Sequence, residues 1–495
     1  MPRTLRVPEL RFPLDPAAIE PLHQQVYRGV RDVILSGSLP AGAQLPSSRR
    51  LADDLAVSRT TILVAFSQLA AEGYIVGAVG SGSYVASQIP DHLLQVGDPS
   101  PGLDGGVRSP VELSQRALEI IRKPRRSPHL YPGPFWTGVP PIDEFPLKVW
   151  SHIAARRQRS MTRNQLAHSS PAGYGPLREA IVTHLATARG VRCDASQVII
   201  LSSAQEGLDV VCRTVLDPGD SAWLEDPCWV GSRGALISAG ARAVPVPVDR
   251  EGLMVERGIA LAPGARLVYV SPSHQYPRGV TLSLERRLSL LTWAAQANSW
   301  IAEDDYDSEY RYTGRPLTAL QGLDRAGRVL YIGTFNKTIF PAIRIAYLVV
   351  PPALVEAIFR VRSIGGQHVP NVEQVILTDF IMEGHFARHL RRMRAIGKER
   401  RDALLSAAKR DLGGLLEVEE SETGLHTVGW LPPGTDDVAA SEVASDHKVE
   451  AIPLSRCYQG PCPRPGLVLG YAGLKPHEIS AGVRRLAGAL KSLGR

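Results

Sequence analysis

The length and composition of the chain indicate a globular protein with several domains. Its 495 residues exceed what one hydrophobic core usually holds and predict about two to four domains. Hydrophobic residues make up 44% and charged residues 21%, which excludes an intrinsically disordered chain. No apolar run reaches the roughly 18 residues of a membrane span, and the N-terminus lacks the apolar stretch of a signal peptide, so we expect a cytoplasmic protein without membrane partners.

The net charge of +7 is compatible with a nucleic-acid partner but does not by itself predict one. Residues 1–90 contain eight arginines against seven acidic residues, an excess of one positive charge. A prediction of DNA binding therefore has to rest on geometry. Five cysteines are scattered without a Cys-x-x-Cys pair or histidines at zinc-ligand spacing, so we expect neither disulfides nor a metal site.

Residues 1–87 are predicted to form three helices followed by a hairpin. Apolar residues recur at helical spacing over 22–34. Ser47 and Ser58 are placed to cap two further helices. Two β-type segments joined by a glycine-containing turn lie within 74–85. This order of elements predicts a winged helix-turn-helix domain.

Residues 88–128 are predicted to be a flexible linker. Prolines and glycines cluster at 97–106, where they disfavour regular structure. A basic cluster at 122–126 closes the segment. This cluster either contacts DNA phosphates or is a solvated charged run of the linker.

Residues 129–495 carry the pattern of an α/β fold with a mainly parallel sheet. Short apolar segments typical of buried strands alternate with helical stretches. We predict a large α/β subdomain at about 170–360 and a smaller α+β subdomain at about 361–495. The predicted buried strands lie at 197–201, 266–270, 300–304 and 329–333.

A lysine in an unusually apolar stretch is a candidate for cofactor chemistry. Lys337 follows a predicted buried strand and is one of only eight lysines in the chain. Pyridoxal 5'-phosphate (PLP) chemistry needs a lysine for a Schiff base, a carboxylate at the pyridine nitrogen, a phosphate site and a stacking ring. Thr334 and Arg344 lie near Lys337 in sequence and are placed to meet a phosphate. Taken alone, Lys337 is equally compatible with an exposed loop lysine.

Other predicted strands end in the remaining groups that PLP requires. Asp304 is placed to pair with the pyridinium and Tyr306 with the phenolic oxygen, because α/β folds place ligand groups at the carboxyl ends of strands. Ser203 and Ala204 open a helix whose backbone N–H groups suit the phosphate. Trp229 is either the stacking ring or a core residue.

The N-terminal region resembles a known family of DNA-binding domains. The motifs are Leu-Pro-Ser-Ser-Arg at 45–49, Ser-Arg-Thr-Thr at 58–61, Glu-Gly at 72–73 and Gly-Ser-Tyr-Val at 82–85. In combination they resemble the GntR family of winged-helix regulators. The resemblance implies that Arg49 and Arg59 contact DNA, with Ser58 and Thr60 beside them and Gly82 at the minor groove. The alternative is a small helical domain that binds another protein.

A second resemblance covers the chain from about Tyr131 to Arg495. Its motifs include Pro-Ala-Gly-Tyr-Gly-Pro at 171–176, Leu-Asp-Pro-Gly-Asp at 216–220 and Ser-Pro-Ser-His-Gln-Tyr-Pro-Arg-Gly at 271–279. They resemble class I aminotransferases of PLP fold type I, and the whole chain resembles the MocR/GabR family of regulators. This resemblance implies a homodimer with sites formed between subunits. It also implies that the DNA-binding unit of one chain packs against the partner's cofactor domain.

Several positions depart from the aminotransferase pattern, among them Ala342 and Ala346, which replace the usual glycines around the phosphate arginine. Tyr276, a further cofactor-binding candidate, replaces the asparagine that contacts the cofactor phenolate, and Ser203 replaces a phosphate-loop glycine. Val468 stands where aminotransferases present the arginine that binds a substrate α-carboxylate. An aliphatic side chain offers a carboxylate neither charge nor donors, so ordinary transamination is disfavoured. Arg464 either compensates for this loss or is an exposed loop arginine.

These features predict a transcription regulator that binds promoter DNA and PLP. The effector is predicted to be PLP itself, or an amine or amino acid that condenses with PLP. Val468 favours PLP or an effector without an α-carboxylate. The regulated genes are expected to belong to vitamin B6 or to amino-acid and amine metabolism. The alternatives are a working aminotransferase with a fused DNA-binding domain and an interaction scaffold that has lost PLP.

Overall fold

The chain divides into two compact units, Met1–Val111 and Glu112–Arg495. The computed structural model describes residues 10, 12–18, 20–78, 82–87, 113–121, 133–163, 165, 170–314, 317–365 and 369–493. Within these ranges, every helix is too short or too polar to cross a membrane.

Among the residues that the structure describes, the N-terminal unit has three helices and a two-stranded antiparallel hairpin. Ser47 Oγ accepts a hydrogen bond from the Arg50 N–H at 3.3 Å. Ser58 Oγ accepts one from the Thr61 N–H at 3.1 Å, so both predicted serines cap their helices. The winged helix-turn-helix prediction is confirmed. The elements are α1 (Leu22–Leu35), α2 (Ser48–Asp54), α3 (Arg59–Ala71), β1 (Ile75–Ala78) and β2 (Gly82–Val85).

The second unit contains a large sheet with helices on both faces. Neighbouring strand residues face opposite cores: Tyr331 packs on one side, and Leu330 and Ile332 pack on the other. The elements are α5 (Leu147–Ser160), α6 (Gly175–Arg189), β3 (Val198–Leu201), α7 (Ala204–Val215), β4 (Ser221–Asp226), α8 (Val230–Ala239), β5 (Arg242–Asp249), β6 (Gly252–Leu253), α9 (Val255–Leu261), β7 (Leu267–Val270), α10 (Leu284–Gln296), β8 (Trp300–Asp305), α11 (Leu320–Leu323), β9 (Val329–Thr334), β10 (Ala346–Val349) and α12 (Val355–Ile364).

The strand directions of this sheet place the carboxyl ends of six strands at one edge. The order is β3-β10-β9-β8-β7-β4-β5-β6, with β10 antiparallel to both of its neighbours and β6 antiparallel to β5. The remaining pairs are parallel. The carboxyl ends of β3, β4, β5, β7, β8 and β9 therefore meet at one edge, where α/β folds bind ligands.

The C-terminal part of this unit adds an antiparallel sheet of order β11-β12-β14-β13. Leu467 and Leu469 of β14 pack into the core formed with the surrounding helices, whereas Val468 belongs to a separate apolar cluster. The elements are α13 (Asn371–Met382), α14 (His385–Asp411), β11 (Glu417–Val418), β12 (His426–Trp430), α15 (Asp437–Asp446), β13 (Ile452–Pro453), β14 (Gly466–Gly470) and α16 (Pro476–Leu493).

Part of the segment predicted to be a linker is helical. It forms α4 (Gln115–Ile121), and Arg116 Nη1 donates a hydrogen bond to the Ser238 carbonyl oxygen of α8 at 3.2 Å. Ser114 Oγ accepts a hydrogen bond from the N–H of a residue in the first turn of α4 and so stabilises its start. The prediction of a flexible linker was wrong for residues 115–121, whereas the proline- and glycine-rich part at 97–106 and the basic cluster at 122–126 lie outside the described residues.

A buried ion pair joins α6 to the ligand-binding edge of the sheet. Arg189 Nε lies 2.7 Å from Asp305 Oδ2, and the two side chains are only 4% and 1% exposed. Arg189 Nη2 also donates to Ser273 Oγ at 2.5 Å, and the Tyr331 hydroxyl donates to Asp305 Oδ2 at 2.5 Å. These contacts fix the backbone next to Asp304.

Replacing Arg189 by methionine should destabilise the second unit. Arg189→Met leaves the Asp305 carboxylate buried without its cation, which costs about 3–5 kcal/mol of unfolding free energy. Arg360→Met is the matched control, because Arg360 pairs with Glu356 at the surface and both side chains are more than 70% exposed. Exposed pairs contribute at most about 1 kcal/mol. Denaturant unfolding followed by tryptophan fluorescence measures both variants, and equal losses would contradict the structural role of Arg189.

Candidate functional site

The N-terminal ends of α2 and α3 carry an exposed polar face consisting of Arg49, Ser58, Arg59 and Thr60. Arg59 Nε donates a hydrogen bond to Ser48 Oγ at 3.3 Å, which links the two helices. The first N–H groups of a helix have no partner within that helix, so this end is electropositive and suits phosphate oxygens.

The hairpin begins its second strand at a residue that requires glycine. Gly82 has a φ of +110°, and a Cβ there would lie 3.1 Å from the Gln44 side-chain nitrogen. Ser81, which precedes it, lies outside the described residues. Gly82 is exposed, as a wing contact requires.

The predicted cofactor residues of the second unit lie at the ligand-binding edge of the large sheet. They come from different strands, whose carboxyl ends the parallel pairing brings together. Ser203 follows β3, Trp229 follows β4, Tyr276 follows β7, Asp304 and Tyr306 lie at the end of β8, and Lys337 follows β9.

Lys337 is half-buried in a loop that is fixed on both sides. Its Nζ donates a hydrogen bond to the Gly138 carbonyl oxygen at 2.8 Å. Gly138 has a φ of +79°, and a Cβ there would lie 2.4 Å from Lys337 Nζ, so only glycine allows this approach. On the other side, His389 Nε2 donates to the Thr338 carbonyl oxygen at 2.8 Å. Sequence reasoning missed both Gly138 and His389.

Asp304 is a buried carboxyl group with one free acceptor. The Tyr269 hydroxyl donates to its Oδ2 at 2.5 Å, and its Oδ1 has no hydrogen-bond partner among the described residues. Burial raises the pKa of Asp304 to about 7, although the Tyr269 hydrogen bond and the Lys337 cation lower it. A buried acceptor of this kind fits a protonated ring nitrogen.

Tyr306 belongs to a hydrogen-bonded network with His274 and Asp307. His274 Nδ1 lies 3.0 Å from the Tyr306 hydroxyl and 3.0 Å from Asp307 Oδ2. We assign the proton to Nδ1, because the Asp307 carboxylate can only accept. The Tyr306 oxygen then also accepts, and its own hydrogen remains available to a phenolate. Burial raises the pKa of Tyr306 well above its ordinary value, so it stays a donor.

A second histidine, His426, lies beside this network, and sequence reasoning also missed it. The rings of His426 and His274 lie 5.0 Å apart, and burial lowers the pKa of His426 well below its usual range. Among the described residues, His274, Asp307 and His426 have potential metal-ligand atoms within 4.8 Å of one another. Because Asp307 and Tyr306 both contact His274 Nδ1, we assign His274 and Asp307 to positioning Tyr306.

The predicted phosphate site lies at the start of α7. Ser203 caps this helix, its Oγ accepting from the Glu206 N–H at 3.1 Å. The Ser202 N–H and hydroxyl both donate to Glu206 Oε2 at 2.7 Å. Arg362 Nε lies 3.0 Å from Glu206 Oε1, and both side chains are 4% exposed. This ion pair neutralises the carboxylate, so the helix N-terminus at Ala204 stays suited to an anion.

Thr334 and Arg344 are brought near each other by strand pairing. Thr334 opposes Ala346 in the pairing of β9 with β10, so the two loops beyond them are adjacent. Asn336 Oδ1 accepts a hydrogen bond from the Ile345 N–H at 3.1 Å and links these loops. Arg344 is exposed and has a φ of +52°, a backbone conformation that is strained for a side-chain-bearing residue and is common at ligand sites.

The two predicted aromatic contacts have different surroundings. Trp229 is half-buried beside the core and directly precedes α8. Its carbonyl oxygen accepts a hydrogen bond from the Ser232 hydroxyl at 2.7 Å. Tyr276 is also half-buried, and its ring lies 5.1 Å from the His426 ring and 6.5 Å from the Tyr306 ring. Tyr276 therefore lies beside the Tyr306 network.

Val468 and Arg464 occupy different environments. Val468 is fully buried and packs with Val428 and Leu454 in a small apolar cluster. Arg464 Nη2 lies 2.6 Å from Glu417 Oε2, and its guanidinium lies 5.0 Å from the centre of the Trp430 ring. The arginine is thus engaged at the surface with Glu417 and Trp430. Val468 cannot offer a guanidinium to a ligand carboxylate, and the guanidinium of Arg464 already contacts Glu417 and Trp430.

The donors at this edge fit PLP. Lys337 would hold the aldehyde carbon, Asp304 Oδ1 would meet the pyridine nitrogen, Tyr306 would meet the phenolic oxygen, and the start of α7 would meet the phosphate. When bound, PLP supplies a carbonyl that condenses with amines and a ring that withdraws electrons. The residues at this edge would hold and orient the cofactor and shield it from water.

Comparisons with known proteins agree with both units. The family model "Bacterial regulatory proteins, gntR family" matches residues 22–85, and "Aminotransferase class I and II" matches residues 137–486. The solved structure of Pyrococcus horikoshii kynurenine aminotransferase, in complex with PMP, has a TM-score of 0.70 and 26% identity, over 77% of this chain and 97% of that one.

Several transcription regulators match along nearly the whole chain. The probable rhizopine catabolism regulatory protein MocR of Rhizobium meliloti is 38% identical over 480 residues, which cover 97% of this chain and 96% of that protein. The pyridoxine biosynthesis transcriptional regulator PdxR of Corynebacterium glutamicum is 31% identical, over 94% of each chain. Fold and site together define a PLP-binding, DNA-binding transcription regulator. The chain belongs to the MocR family, in which a GntR-type winged helix is fused to an aminotransferase-like domain.

Replacing Asp304 by asparagine should weaken PLP binding at least about tenfold, because a hydrogen bond to a charged group contributes about 1.5–3 kcal/mol. Asp209→Asn is the control, since Asp209 pairs with Arg213 at the surface. Titration of the cofactor-free proteins with PLP measures both affinities. Equal affinity of the two variants would remove Asp304 from the cofactor site.

The same Asp304 variant should change how the stability of the cofactor-free protein depends on pH. The folded pKa of Asp304 is about 7, above its ordinary value of 3.8, so the folded state holds this proton more tightly. The stabilisation is present at low pH and is lost as the pH rises towards and through 7. Asp304→Asn has no such proton to lose. The unfolding free energy of the variant minus that of the native protein should therefore be larger near pH 8 than near pH 5.

Proposed function

We propose that this regulator binds promoter DNA and senses PLP, or a ligand that condenses with PLP, by changing its affinity for DNA. The observation that carries the proposal is the environment of Val468, which packs with Val428 and Leu454 in an apolar cluster. A carboxylate brought to this cluster would lose water without gaining a charged partner. Such a site favours PLP itself, or an amine without an α-carboxylate, as the effector.

The effector class connects the site with the genes that it would control. A PLP sensor suits genes of vitamin B6 metabolism, and an amine sensor suits genes of amino-acid or amine metabolism. The relatives named for pyridoxine biosynthesis and for rhizopine catabolism are consistent with this range.

On the DNA side, the proposed contacts are Arg49, Ser58, Arg59 and Thr60, with Gly82 approaching the minor groove. All five are exposed, and four of them lie at helix N-termini. Arginine and hydroxyl donors at this end of a recognition helix reach both phosphates and base edges.

The proposed organisation is a homodimer that acts in the cytoplasm, where promoter DNA lies. Residues 1–87 would form the DNA-binding domain, 88–128 a connecting segment that includes α4, and 129–495 the cofactor domain. The proposed cofactor residues are Lys337 with Asp304, Tyr306 and Tyr276 at the ring, Trp229 stacked on it, and Ser203, Ala204, Thr334 and Arg344 at the phosphate.

The decisive experiment titrates PLP, and then candidate amines, into the cofactor-free protein while its affinity for DNA from upstream of its own gene is measured. We expect PLP or an amine in its presence to change the affinity several-fold. Lys337→Ala should bind the same DNA but lose this response, because the lysine that holds the cofactor is gone. Lys409→Ala, at an exposed position of α14, is the matched control and should respond as the native protein does.

A second pair of variants tests the DNA contacts separately. Arg59→Ala should bind the DNA about tenfold more weakly while its PLP affinity stays unchanged, since a well-placed arginine contact contributes about 1–3 kcal/mol. Arg213→Ala, on the surface of the cofactor domain, should change neither quantity. A protein that binds no upstream DNA refutes the regulator proposal, and DNA binding that ignores every ligand refutes the sensor proposal.

A further inference from the structure

Two large apolar side chains are exposed on α3, next to the polar residues at its N-terminus. Leu63 is 48% exposed and Val64 is 45% exposed. Other residues form the buried side of this helix, so Leu63 and Val64 contribute little to the core of their unit. The buried residues are Ile62, Ala65, Phe66 and Leu69.

Helical spacing places this apolar pair on the face that begins with Arg59 and Thr60. Leu63 follows Arg59 by four positions and Val64 follows Thr60 by four, and residues four apart are neighbours on a helix surface. Four residues span about 6 Å of helix axis, so charge, hydroxyl and apolar surface lie side by side.

The cost of Val64 argues that this surface is used. A β-branched side chain in the interior of a helix loses rotamer freedom and lowers the helix propensity. Buried valines recover this cost through packing, but Val64 is nearly half exposed within its own unit. An external apolar partner would supply that packing.

We propose that Leu63, with Val64 beside it, recognises thymine in the major groove of the operator through the 5-methyl group. The proposal rests on the proposed function in DNA binding. The N-terminal half of a recognition helix faces base edges in the major groove, and thymine alone presents a methyl group there. Arg59 and the hydroxyls of the same face meet phosphates and polar base edges, which favours DNA over a protein partner.

The test removes only the methyl group from the DNA. The operator is taken from upstream of the gene or selected from random duplexes, and each thymine is replaced in turn by deoxyuridine. We expect one or two replacements to weaken binding of the full-length protein about three- to fivefold, as the loss of one buried methyl group predicts. Leu63→Ala should weaken binding to the unmodified duplex by a similar factor and become insensitive to the same replacements.

The matched control is Leu288→Ala, at a leucine of α10 that is 50% exposed in the other unit, and it should behave as the native protein. If the native protein binds DNA but no deoxyuridine weakens binding, this inference is wrong while the proposed function stands. The inference is also wrong if Leu63→Ala weakens binding to the unmodified duplex and to every deoxyuridine duplex equally, or if the substitution impairs a contact with a protein and leaves DNA binding unchanged. If the native protein binds no DNA at all, the proposed function itself is wrong.

Discussion

A buried carboxyl group with one unsatisfied oxygen sets the requirements of the cofactor site. Asp304 lies at the end of β8 with Oδ2 held by the Tyr269 hydroxyl and Oδ1 free of partners among the described residues. Burial raises its pKa to about 7, so the protein carries the cost of a group that it cannot ionise cheaply. A cationic ring nitrogen beside Oδ1 would offset that cost, so PLP binding would favour the ionised form of Asp304.

The groups around Asp304 connect the proposed cofactor site with other elements of the second unit. Lys337 lies in a loop held by Gly138 on one side and, through the next residue, by His389 of α14 on the other. Tyr306 is hydrogen-bonded to His274, whose ring lies 5.0 Å from the ring of His426 in the smaller sheet. A ligand in the proposed cofactor site would therefore lie next to contacts that reach both sheets of the second unit.

The sequence predicted the parts of this arrangement that have a local signature. Buried strands are apolar runs followed by polar groups. The strands predicted at 300–304 and 329–333 therefore end within one residue of β8 and β9, and they place Asp304 at a strand end and Lys337 just after one. The contact between His274 and Asp307 joins segments 33 residues apart, and no periodic pattern marks such a pair. Gly138 could not be found, because its need for glycine arises only when Lys337 approaches. Helix α4 was missed because its neighbours are rich in proline and glycine.

The central claim is that an aminotransferase-like cradle for PLP serves as a sensor because Val468 offers no anchor for a carboxylate. The most direct measurement incubates the PLP-loaded protein with each common amino acid and a 2-oxo acid acceptor, and quantifies the new 2-oxo acid by mass spectrometry. The account predicts less than about one product molecule per protein molecule for every amino acid. Sustained turnover with any of them would contradict it and would favour a working aminotransferase.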